Sequence, residues 1–113
     1  MYQTAAGVQP FAQWFAGLDE TAGAEVATAL ERLYTGNTSN VRAVGAGVSE
    51  LKIHFGPGYR VYFGWQGLEL VILLGGGTKA RQSADIATAQ ARWADYKQRR
   101  AAPKPKKKNK GVK

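Results

Sequence analysis

The sequence predicts an α+β domain of order β-α-α-β-β-β-α, with a helical hairpin and a C-terminal helix packed on a small, mostly antiparallel sheet. Apolar residues recur at helical spacing over residues 10–33 and again over 86–96. Between these segments, the runs from Val48 to Leu74 alternate apolar with polar residues or are apolar throughout. Turn residues separate those runs at Gly56-Pro57-Gly58 and at Gln66-Gly67.

Taken in order, residues 2–6 are a candidate edge strand. Pro10 suits a first helical turn, and Phe11, Trp14, Phe15 and Leu18 follow at helical spacing as core residues. Asp19 is an N-cap candidate for a second helix, which buries Val26, Leu30 and Leu33 and ends in "TGNTSN". "VRAVGAG" leads into the sheet. Leu51, Ile53 and Phe55 alternate with Glu50, Lys52 and His54. Tyr59, Val61, Phe63 and Trp65 alternate with Arg60, Tyr62 and Gly64. A tight Gly-Pro-Gly loop would pair Phe55 with Tyr59, set His54 across from Arg60, and set Lys52 across from Tyr62. "LELVILLG" puts Leu68, Leu70, Ile72 and Leu74 on the core face; being apolar on both faces, it is placed at the sheet centre. Ser83 is the N-cap candidate of a last helix with an apolar stripe of Ile86, Ala89, Trp93 and Tyr96.

The net charge of +8 is unevenly placed. Residues 1–35 carry Arg32 against Asp19, Glu20, Glu25 and Glu31, a net −3. Residues 101–113 carry six lysines and no acid, and without them the net charge is only +2. The expected organisation is one domain over 1–100 and a lysine-rich tail over 101–113, too polar and proline-punctuated to order itself. A basic half beside an acidic one suits a polyanion, nucleic acid above all; a solubilising surface is the plainer reading. The chain has no cysteine, so disulfides and thiolate chemistry are excluded. Its apolar runs are shorter than a membrane span and its first residues do not read as a signal peptide, so the expected location is the cytoplasm.

In the tight-loop register, Lys52, His54, Arg60 and Tyr62 share one sheet face. Opposed like charges repel by a few tenths to about 1 kcal/mol, and a bound phosphate would relieve this. Cations with a ring also suit single-stranded nucleic acid, whereas an ordinary solvated face balanced by Glu50 explains the same pattern. A lone histidine with no carboxylate cluster makes no metal site. "GGGTK" lacks the P-loop spacing; it reads as a turn, with Lys79 free to meet one phosphate.

"VSELKIHFGPGYRVYF" followed by "LLGGGTKARQSADIATA" resembles the addiction-module killer proteins, a HigB/RelE-like subgroup of the RelE/ParE toxin superfamily. The resemblance spans residues 2 to about 98 and includes the segment order. It implies a toxin neutralised by an antitoxin, often a helix-turn-helix protein from the adjacent gene. RelE-like members cut messenger RNA on the ribosome; ParE-like members inhibit DNA gyrase instead. The motif carries phosphate-handling roles to Lys52, Arg60 and Lys79, and RNA contacts to Arg81, Gln82 and Asp85. Asp85 stands in the region where many RelE-like members have a tyrosine, and Thr78 replaces an Asp common in the subgroup. A metal-independent endoribonuclease without cofactor uses the RNA's own 2′-OH and needs a base, a phosphate stabiliser and an acid. Arg60 and Lys79 suit the stabiliser, Lys52 or His54 the base, and Tyr62 a proton donor or stacking ring. The first expectation is a messenger-RNA endonuclease; the alternatives are a gyrase inhibitor and a non-toxic antitoxin- or RNA-binding module.

Overall fold

The computed structural model describes residues 1–101. Helix α1 (Pro10–Ala16) starts on its proline, as expected of a residue with no N–H to leave unpaired. Residues 17–19 lead to α2 (Glu20–Tyr34), where Asp19 caps as its residue type predicts: Oδ1 accepts the Ala22 N–H at 2.8 Å. Four strands follow: β1 (Val41–Gly45), β2 (Val48–Ile53), β3 (Tyr59–Gln66) and β4 (Glu69–Gly76). They lie in the order β1-β2-β3-β4, with every neighbouring pair antiparallel. A 3₁₀ turn (Lys79–Arg81) leads into α3 (Gln82–Ala101). The architecture is the α+β class expected, with helices flanking an antiparallel sheet.

Alternation along β2 and β3 sorts the side chains onto two faces, and each face has its own core. Leu51, Ile53, Val61, Phe63, Leu70 and Ile72 meet Phe11, Val26 and Leu33 from α1 and α2. On the other face Val48, Tyr62, Val71 and Leu73 meet Ala89 and Trp93 from α3. Trp93 packs so close to the sheet that a Cβ on Gly64 would come within 2.7 Å of its ring. The glycine there is therefore a packing requirement.

Several expectations change in detail. Residues 2–6 form no strand; Tyr2 donates its N–H to the Ile72 carbonyl at 2.8 Å, then the chain turns, with Gly7 N–H bonded to Thr4 O. The remaining strand is "VRAVG", folded back onto β2 by Ala46 and Gly47, both at positive φ. Strand β4 ends the sheet order instead of lying at its centre. It is apolar on both faces because helices cover both, α1 on one and α3 on the other. Leu68, placed in the core by alternation, sits at the β3–β4 turn and is 99% exposed. Ser83 does not cap: Thr78 caps the 3₁₀ turn, its Oγ1 accepting from Arg81 N–H.

The β2–β3 register also differs. Ile53 pairs with Tyr59, Lys52 with Arg60, and Glu50 with Tyr62. The connection is longer than Gly-Pro-Gly: Phe55 N–H turns back to Ile53 O, and Gly58 N–H bonds to Phe55 O. His54 is drawn out of the strand, and the pairing moves by an even number of residues. Each side chain keeps its face and changes its partner.

Candidate functional site

On the α3-facing side, cross-strand pairing builds two polar rows. One runs Arg42–Glu50–Tyr62–Leu74 and the other Lys52–Arg60–Gly76. The head of α3 lies over the first, because Gln82 Nε2 donates to Glu50 Oε2 at 2.9 Å.

Glu50 is the hub, although it is only 2% exposed. Its Oε1 accepts from Arg42 Nε at 2.9 Å, and Arg60 Nε lies 3.8 Å from Oε2. Burial opposes its charge, but the hydrogen bonds from Arg42 and Gln82 outweigh that and hold the carboxyl below its usual range. Arg60 is 5% exposed, and its Nη1 donates to Gly58 O at 3.0 Å. Tyr62 is fully buried. Burial and the Glu50 carboxylate beside it push its phenol far above the ordinary tyrosine value. Tyr62 is therefore not a surface ring free to stack on a base: α3 covers the face that alternation had left open.

Exposed cations lie on the neighbouring strand and on the turn that leaves the sheet. Lys52 is the direct cross-strand neighbour of Arg60, and Lys79 and Arg81 lie on the 3₁₀ turn that follows Gly76. Lys52 and His54 also line a pocket of about 160 Å³ with Arg32, Asn37 and Asn40, where His54 Nε2 lies 3.2 Å from Asn40 Oδ1. Asp85 is reached from the opposite side, in a groove with Arg81 and Arg92. Burial pushes its carboxyl up, against the pull of Arg81, Arg60 and Arg92. The candidate residues thus fall into two sets, Lys52 with His54 and Arg81 with Asp85, on either side of Arg60.

Sequence reasoning missed Arg42, Arg32 and Glu50 as members of the site. A signal existed for Glu50: a carboxylate in a strand whose face neighbours are cations and a tyrosine needs a partner if that face is covered. Among the described residues no three His, Cys, Asp or Glu side chains gather as metal ligands. No helix among them is long and apolar enough to cross a membrane.

The fold and this cluster define a class: a small α+β protein whose sheet carries a buried carboxylate hub ringed by cations, overlaid by the head of its last helix. The chain belongs to the family described as "Phage derived protein Gp49-like (DUF891)", which it matches over residues 13–94. That is a RelE-like, toxin-like family of toxin–antitoxin systems. Every candidate residue falls inside the matched region. An uncharacterized protein of Haemophilus influenzae is 41% identical over 81 residues, covering 71% of this chain and 82% of that one. No solved structure matches the chain.

Proposed function

We propose that this protein is the toxin of a type II toxin–antitoxin pair and acts by cutting messenger RNA on the ribosome. The observation that carries the reading is the pairing of Lys52 with Arg60 beside the Lys79–Arg81 turn. One carboxylate, Glu50, serves both Arg42 and Arg60, so the patch keeps an excess of positive charge. Such a patch suits a phosphodiester crowded by an incoming 2′-oxygen.

In this reading Lys52 and Lys79, both exposed, contact the phosphate. Arg60 stands behind them as a fixed charge, held by Glu50 and the Gly58 carbonyl. The RNA 2′-OH loses its proton to a base at the rim, His54, or Lys52 in its uncharged form with Lys79 left to meet the phosphate. The new O2′–P bond forms as the P–O5′ bond breaks, and the leaving 5′-oxygen takes a proton from water. A toxin of this family implies a cognate antitoxin, which we place against the basic sheet end or the acidic α1–α2 segment.

The test maps messenger-RNA 5′ ends in cells after brief induction, comparing the protein with its Lys52→Ala/Lys79→Ala variant. Both side chains are exposed, so the variant should fold normally. New ends inside translated regions that disappear in the variant are expected. Growth arrest without new ends would overturn the reading and direct attention to gyrase.

A further inference from the structure

Along the outer edge of β4, between α1 and α3, lies an open groove of about 560 Å³. The backbone of Gly75, Gly76 and Gly77 forms its floor; Trp14 and Asp85 form its walls; Arg81 and Arg92 stand at its rim. The walls come from opposite sides of the sheet. Trp14 takes the space that a Cβ on Gly75 would need, and Asp85 takes the space that a Cβ on Gly76 would need. Larger residues at either position would displace a wall. Asp85 is only 8% exposed but lines this groove, and its carboxylate meets Arg81 Nε only at 4.0 Å, too long for a hydrogen bond, so its oxygens keep acceptor capacity for a ligand.

We propose that this groove is a nucleobase site that takes a guanine of the RNA strand. Trp14 would contact the base, Asp85 would accept from its N1–H and N2–H, and Arg81 and Arg92 would meet the adjoining phosphates. The inference rests on the RNA reading above and adds base selection to it. A groove of this size falls in the range of small-ligand sites, roughly 300–1,000 Å³. An aromatic wall with cations at the rim is the usual apparatus for a single strand. The carboxylate makes the choice among bases. An ionised carboxylate only accepts, and guanine alone presents two adjacent N–H donors on its Watson–Crick edge. Adenine and cytosine set a ring nitrogen acceptor beside their amino group, and uracil sets carbonyls on both sides of its one N–H. A bidentate contact of this kind discriminates by about tenfold or more.

The test titrates the full-length protein with each of the four ribonucleoside 5′-monophosphates, following amide and indole signals by NMR. The expected result is binding of guanosine monophosphate about tenfold tighter than the others, with shifts at Gly75–Gly77 and the Trp14 indole. Asp85→Asn should bring guanosine monophosphate down to the level of the rest, while Glu69→Gln, exposed at the far β3–β4 turn, should keep the preference. Equal binding of all four, no binding, or shifts confined to the pocket around Lys52 and His54 would overturn the proposal. The two readings fail separately. Cuts in messenger RNA without guanine preference would sink the groove proposal and leave the endonuclease. Guanine-selective binding without any cuts would support the groove and sink the endonuclease.

Discussion

Glu50 and Asp85 are both buried carboxylates, and their surroundings act on them in opposite directions. Glu50 has hydrogen-bond donors from two elements, and its folded state favours the charged form. Its contribution to stability is therefore full above the ordinary carboxylate range and is lost as pH falls through its depressed folded value. Glu50→Gln would leave the buried Arg60 guanidinium without its counter-charge, and we expect a loss of about 3 kcal/mol in urea denaturation at neutral pH. The deficit should narrow on acidification. Asp85 is the reverse case: burial raises its folded value, so its charge opposes folding at neutral pH. Asp85→Asn should raise the thermal midpoint at pH 7, with the gain fading as pH falls through the raised folded value and gone below the ordinary carboxylate value. A neutral-pH midpoint unchanged or lowered would show that the three arginines around Asp85 outweigh its burial.

At the scale of elements, glycines hold the helices close to the sheet. Gly64→Ala forces its new methyl into the Trp93 indole, and we expect about 2 kcal/mol of destabilisation with loss of near-ultraviolet aromatic signal. Asp19→Ala removes the cap of α2 and should cost about 1 kcal/mol by the same denaturation measurement. Both effects follow from contacts between elements, and such contacts also mark where the sequence could be read. Alternation in "VSELKI" and "YRVYFGWQ" assigned each side chain to its face correctly, because pleating is a local property. The pairing partner depends on how many residues the loop consumes, and His54 and Phe55 carried no pattern that assigned them to it. Strand β4 shows the same limit: two apolar faces reveal that both are covered, and do not reveal whether a third strand or only helices do the covering. Lys52, Arg60 and Lys79 were legible as a basic motif. That Arg60 would be buried, and Tyr62 with it, depended on where α3 comes to rest.

Across the whole molecule, a single sheet separates two cores, and its two edges differ. Tyr2 closes the β4 edge through its N–H bond to Ile72 and its hydroxyl bond to Asp95 at 2.7 Å. The β1 edge is a short strand that ends in a turn with Ala46 at positive φ. Native-state hydrogen exchange should find β3 and β4 amides opening only with global unfolding, and β1 amides opening locally at lower free energy. Equal protection in all four strands would count against this division. The opposed Lys52 and Arg60 give the molecule one more property. If the proposed patch takes up a dianion, the bound charge would offset the repulsion between them. Binding there would be thermodynamically linked to melting. Sulfate should raise the thermal midpoint more than chloride at matched ionic strength, and Lys52→Ala should blunt the difference. The protein would then carry its own label-free reporter, and a melting curve could screen fractions for anions that bind this pair, long before any reaction is observed.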